Sequence, residues 1–118
     1  MRDFTRVDVI ASKPVKIDNV NKTVNIMGFT YKIVMSDKVE MDDNTGYAGK
    51  ILYQNQEIHV KDGVHKQYRF ATLMHEVIHG LLYHFGVSEH DEESIDMIAN
   101  GMASFIINNK DLLNEWTA

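Results

Sequence analysis

Residues 70–85 read Phe70-Ala71-Thr72-Leu73-Met74-His75-Glu76-Val77-Ile78-His79-Gly80-Leu81-Leu82-Tyr83-His84-Phe85. The apolar residues Phe70, Met74, Val77, Ile78, Leu81 and Phe85 recur at steps of three and four, the period of one helix face. His75 and His79 are four apart, so on a helix their imidazoles stand one turn above each other and can converge on one ion. Glu76 follows the first histidine and points elsewhere, where it can reach water held by that ion. The pattern is the His-Glu-x-x-His zinc motif, in which the glutamate is the general base.

A helical wheel places the motif relative to the apolar stripe. With Met74 at the origin and about 100° per residue, the other apolar residues fall within about 60° of it. His75 and His79 fall near about 100° and 140°, at the stripe edge, and Glu76 near about 200°. The expectation is a helix that packs its stripe on the core and opens its ligand pair into a cleft. Gly86 suits the position just past the helix end, so the helix is expected over about 65–85.

The chain of 118 residues fits one small domain, residues 1–118, with 44% hydrophobic residues to build a core. No apolar run is long enough to span a membrane, and Met1-Arg2-Asp3-Phe4-Thr5-Arg6 lacks the apolar centre of a signal peptide. There is no cysteine, which excludes disulfides and thiolate-ligated zinc and is compatible with a reducing cytoplasm. The net charge of −5, with no basic stripe, argues against nucleic acid as a partner.

Around the motif, short β segments precede and helices follow. Val15, Ile17 and Val20 suggest a first extended segment, broken from the preceding residues at Lys13-Pro14. Phe29, Tyr31, Ile33 and Met35 alternate with Thr30, Lys32 and Val34 as in a strand, with Gly28 allowing a turn or bulge. The acidic run from Asp37 to Gly46 reads as a solvated loop, without the ligand spacing of a calcium loop. Residues 47–53 and 56–60 read as a strand pair connected near Asn55. His59 and His65 then fall on a strand and before the helix, as surface or hydrogen-bonded residues.

After Gly86, Ser88 is the expected N-cap, with Glu89, Asp91, Glu92 and Glu93 suited to a helix N-terminus. The helix that follows carries Ile95, Ile98, Ala99, Met102, Phe105 and Ile106 on one face and ends at Asn108-Asn109. Asp111 to Trp116 would form a last short turn, with Leu113 and Trp116 as packing residues.

A catalytic zinc takes three protein ligands and keeps an open position. A histidine six residues after His79 would fall at Phe85, which excludes the metzincin pattern. On the second helix, Glu92 lies about 80° from the stripe centre at Met102, on the side of Asp96, Ala99 and Ala103, whereas Glu93 lies about 180° away. The two alanines allow a neighbouring helix to come close. Glu92 is the leading third ligand, with Glu93 as the alternative.

The segments Thr72–Leu82 and Asp91–Asn100 resemble the ImmA/IrrE-like metallopeptidases, especially their short phage- and prophage-encoded members. Weaker echoes are Gly28–Val34 and Gly49-Lys50-Ile51; Asn108-Asn109-Lys110 stands where longer members often carry an apolar-Pro segment. The resemblance implies an α+β, zincin-like fold, with a small β-sheet packed on the motif helix and a C-terminal ligand-bearing helix. It also implies Zn2+ at His75, His79 and Glu92, Glu76 as the catalytic base, and a peptide or protein substrate. Members with a known role cut transcriptional repressors of mobile elements or stress regulons.

Two other readings compete with a peptidase. A catalytically silent binding module on the same scaffold would grip a regulatory partner and would have no need of Glu76. A structural zinc site would need a fourth convergent ligand, for which Asp96 and His90 are the candidates. Tyr47, Tyr53, Tyr83, His84 and His90 are the candidates for steadying an oxyanion.

Overall fold

The computed structural model describes residues 22–36, 39–41 and 44–118. The extended segment expected at Val15–Val20 lies outside the described residues. The architecture is α+β, with a four-stranded sheet, a two-stranded sheet and three helices.

The first two strands, β1 (Lys22–Ile26) and β2 (Phe29–Ser36), form an antiparallel hairpin in which Ile26 faces Phe29. Met27 and Gly28 both have positive φ, the backbone of a two-residue hairpin turn whose twist matches its strands. The Asn25 carboxamide oxygen accepts from the Gly28 N–H at 2.8 Å. Gly28 thus makes a reversal between two strands.

Where an acidic loop was expected, β3 (Val39–Met41) pairs antiparallel with β4 (Asn44–Tyr47). The β-formers Val39, Thr45 and Tyr47 favour strand within this otherwise acidic stretch. The expected strand pair is present as β5 (Gly49–Leu52) and β6 (Glu57–Lys61), antiparallel. Since β6 also runs parallel to β2, the sheet order is β1-β2-β6-β5, and β5 is a terminal strand.

Alternation along these strands builds one core face. Ile26, Tyr31, Ile58 and Val60 are buried, with Val24, Ile33, Met35 and Ile51 beside them. Onto this face packs α1 (Lys66–His84) through Leu73, Val77 and Leu81. Gly80 lets the helix settle closely, since a Cβ there would stand 2.9 Å from the Ile26 side chain. His65 caps α1 by accepting the Gln67 N–H on its ring at 3.1 Å.

The face that α1 buries differs from the one expected. Its buried residues are Arg69, Thr72, His75, Glu76, His79 and Gly80, whereas Met74 is half-buried and Phe85 is 67% exposed. The wheel assumes one covering partner. Here the sheet covers α1 on one side and α2 (Glu92–Asn108) packs against it as well, and the motif lies on the covered side.

The second helix is corrected in the same sense. Its buried residues are Ile95, Ala99 and Ala103, while Met102, Ile98 and Phe105 are 41–49% exposed. The small residues make the close contact with α1, and the larger apolar ones look outward. The N-cap is Asp91, not Ser88; the Ser94 hydroxyl bonds to the Asp91 carboxylate. The last segment is a helix, α3 (Lys110–Thr117), rather than a turn. Trp116 on it is 80% exposed and is not a packing residue; the main neighbour of α3 is α2.

Candidate metal centre

The site forms where α1 and the first turn of α2 meet. The two motif histidines on α1 are nearly inaccessible, with His75 1% and His79 5% exposed. Their Nε2 atoms both point at Glu92. The Glu92 Oε1 atom lies 2.9 Å from His75 Nε2 and 3.1 Å from His79 Nε2. One ligand atom from each of the three residues falls within 4.8 Å of the others, and no other group of this kind occurs among the described residues. His75, His79 and Glu92 can therefore hold a metal ion. Glu93, the alternative, is exposed and outside this group.

The short connection between the helices sets this convergence. Gly86, at φ +85°, follows the C-cap Phe85. Its N–H bonds to the Tyr83 carbonyl at 3.0 Å, and the Val87 N–H bonds to the Leu82 carbonyl at 2.9 Å. This paired arrangement is the Schellman ending, and it turns the chain off the helix axis. The chain re-enters a helix at Glu92, whose carboxylate meets both histidines.

The outer ring nitrogens have partners of their own. Asp96 Oδ1 lies 3.4 Å from His75 Nδ1. His90 Nδ1 lies 2.8 Å from His79 Nδ1, and His90 Nε2 lies 2.8 Å from the Val87 carbonyl. Asp96 and His90, weighed above as fourth ligands, thus stand behind the histidines rather than among the convergent atoms. Backing groups of this kind orient a metal-binding imidazole.

Proton counting tests whether a cation fits. The line Val87 carbonyl, His90, His79, Glu92 has three contacts over four ring nitrogens. A carbonyl or carboxylate accepts only, so each of the three contacts needs one positive hydrogen. Two neutral imidazoles carry one N–H each, which leaves one contact short. An added proton or a metal ion must make up the difference, and the contact between His79 Nε2 and Glu92 is where His75 also converges. Two imidazoles and a carboxylate are a donor set suited to a divalent ion.

Glu76 is 0% exposed and sits where α1 meets β5. A Cβ on Gly49 would stand 2.6 Å from the Thr72 methyl and 3.3 Å from Glu76 Oε2. Only a residue without a side chain lets β5 approach the motif helix this closely. Gly49, noted in the sequence only as a weak echo of the family, was given no packing role there; the available signal was a glycine opening a β segment, which often marks such an approach.

The remaining candidates have other surroundings. His59 bonds to Glu57 at 3.0 Å on β6. His84 contacts the Tyr31 hydroxyl at 2.7 Å and stacks on Phe29 at 4.1 Å, while Tyr53 stacks on Tyr83 at 4.0 Å. These aromatic contacts gather at the far end of α1, more than two turns from His75. The side chain of Tyr47 lies outside the described residues. Burial, with a smaller effect from Tyr83, raises the Tyr31 phenol above its ordinary range.

No family model, curated protein or solved structure matches this chain. The geometry and chemistry of the site therefore carry the functional argument. No helix among the described residues is long and apolar enough to cross a membrane.

Proposed function

We propose that this protein is a zinc-dependent peptidase of zincin type, with His75, His79 and Glu92 as metal ligands and Glu76 as general base. The observation that carries the reading is the convergence of His75 Nε2, His79 Nε2 and one Glu92 carboxylate. A bound zinc ion would supply Lewis acidity and make water a stronger acid at neutral pH. The Glu76 carboxylate takes the proton of the attacking water and passes it to the leaving amine nitrogen. Its burial beside Gly49 limits the positions it can adopt.

Three further features support a peptidase over a structural metal site. His90 and Asp96 face the outer ring nitrogens, so the three ligands leave a position for substrate. The Glu92 side chain is 35% exposed, which opens the centre to solvent on that side. The terminal strand β5 lies beside Glu76 through Gly49, so an extended peptide could add to the sheet next to the base. The resemblance to the ImmA/IrrE-like family suggests a transcriptional regulator as substrate, in a cytoplasmic setting and in a phage context.

The test is to incubate zinc-loaded wild type and Glu76→Gln with a mixed peptide library and read new termini by mass spectrometry. Wild type is expected to produce fragments and Glu76→Gln none. No cleavage by wild type across the library and candidate repressors, or equal cleavage by both proteins, overturns the peptidase. A wild-type biological effect retained by Glu76→Gln would instead mark a binding module.

A further inference from the structure

We infer that His90 is a positioning residue that holds His79 in one tautomer and so aims its Nε2 lone pair at the metal. The inference rests on the metal-site reading above and assigns a role to a residue outside the ligand set.

The argument starts from the Val87 carbonyl, which accepts only. His90 Nε2, at 2.8 Å, must therefore carry the hydrogen. A neutral His90 then presents a lone pair at Nδ1. The facing atom, His79 Nδ1 at 2.8 Å, must supply the hydrogen of that contact. With its hydrogen on Nδ1, a neutral His79 has its lone pair on Nε2, the atom that faces Glu92 at 3.1 Å. One carbonyl thus determines the tautomers of two rings in series. The partly parallel rings of His79 and His90, with centroids 5.0 Å apart, limit rotation of His79 as well.

The anchor of this relay is itself fixed by the helix ending. The Val87 N–H is tied to Leu82 by the Schellman turn, and Gly86 at φ +85° makes that turn possible. The backbone that ends α1 therefore reaches back through Val87 and His90 to a ligand one and a half turns earlier on the same helix. A free His79 ring would divide between two tautomers and several orientations, and only one combination offers Nε2 to the ion. Removing groups that orient a metal-binding histidine typically weakens metal binding about 10–100-fold.

The experiment uses the full chain, stripped of metal, with zinc affinity measured by competition against a chromophoric chelator. Folding is followed by circular dichroism. His90→Ala is expected to bind zinc about 10–100-fold more weakly than wild type. His90→Asn, whose amide oxygen can take the place of the ring Nδ1 as acceptor, is expected to recover most of that loss. His59→Ala, on β6, is expected to leave the affinity unchanged. Long-range proton–nitrogen NMR on zinc-loaded wild type should show His79 protonated at Nδ1.

Gly86→Ala supplies a second, independent arm. It is expected to weaken zinc binding in the wild-type background and to add little to His90→Ala, because both act through the same anchor. Should wild type bind zinc no better than His79→Ala, the metal reading itself falls. If His79→Ala binds more weakly but His90→Ala equals wild type, only the relay is overturned. A His79 ring protonated at Nε2 in the zinc-loaded protein also overturns the relay. That spectrum decides the matter should His90→Ala fail to fold.

Discussion

His75 Nε2 and Glu92 Oε1 stand 2.9 Å apart although 17 residues separate them in the chain. The contact joins the middle of one helix to the first residue of the next, and it depends on the turn at Gly86. It also puts a carboxylate at a helix N-terminus, where the backbone dipole favours negative charge.

Metal content should follow this contact. Purified protein is expected to hold one zinc equivalent, and His75→Ala substantially less. Zinc at about 100 times its dissociation constant should stabilise the wild type by about 2.7 kcal/mol, a rise of roughly 10 °C in Tm for a chain of this size. Metal analysis and thermal melts with and without chelator check this; equal zinc content in both proteins would remove His75 from the site.

Glu76→Gln should separate catalysis from metal binding. Glutamine keeps the shape but accepts no proton from water. A loss of about 10²–10⁴ in cleavage rate is expected, with zinc affinity within a few-fold of wild type. A large fall in zinc affinity would instead make Glu76 part of the ligand set.

Gly49→Ala should destabilise the fold by about 1–3 kcal/mol, because overpacking forces neighbours to shift. The added Cβ would stand 2.6 Å from the Thr72 methyl and 3.1 Å from the His59 carbonyl. Thr72→Ser deletes that methyl, so the double variant should lose less than the sum of the single losses. Denaturant titration of the four proteins measures the coupling, and strict additivity would show that β5 and α1 meet differently.

Tyr31 should be among the last of the 5 tyrosines to ionise, because burial raises its phenol above the usual range. Its folded value exceeds its unfolded one. The associated stability is therefore complete below the unfolded value, near about pH 10, and is lost as the pH rises through the folded value. Ultraviolet titration of wild type and Tyr31→Phe tests this: the variant should lack the late-titrating component. A missing early component would contradict the burial.

Several features were legible without the fold. The helix over residues 66–84 follows from steps of three and four, and its end from Gly86. The alternation of Tyr31, Ile33 and Met35 marks a strand with one face inward. Placing Ala99 and Ala103 with Glu92 on the side of α2 that meets α1 also came from the wheel, since Ala99 is 0% and Ala103 4% exposed. All these are local matters of backbone period, glycine geometry and side-chain size.

By itself, the sequence determined the helix that carries His75, Glu76 and His79 in fixed phase, and a short list of carboxylates to complete a site. Only the tertiary structure decided which side of that helix is covered, because coverage depends on where the sheet and α2 come to rest. The apolar stripe around Met74 therefore gave a rotated answer, and Trp116 ended exposed. The same holds for His90 and Asp96, which as residue types are equally good ligands. The turn at Gly86 and the crossing of α1 with α2 place them behind the histidines, while Glu92 alone of the nearby acids faces both Nε2 atoms. Residue chemistry and helical period are carried by a few neighbours in the chain, whereas the direction of a lone pair at a shared site depends on contacts between elements that only the folded chain brings together.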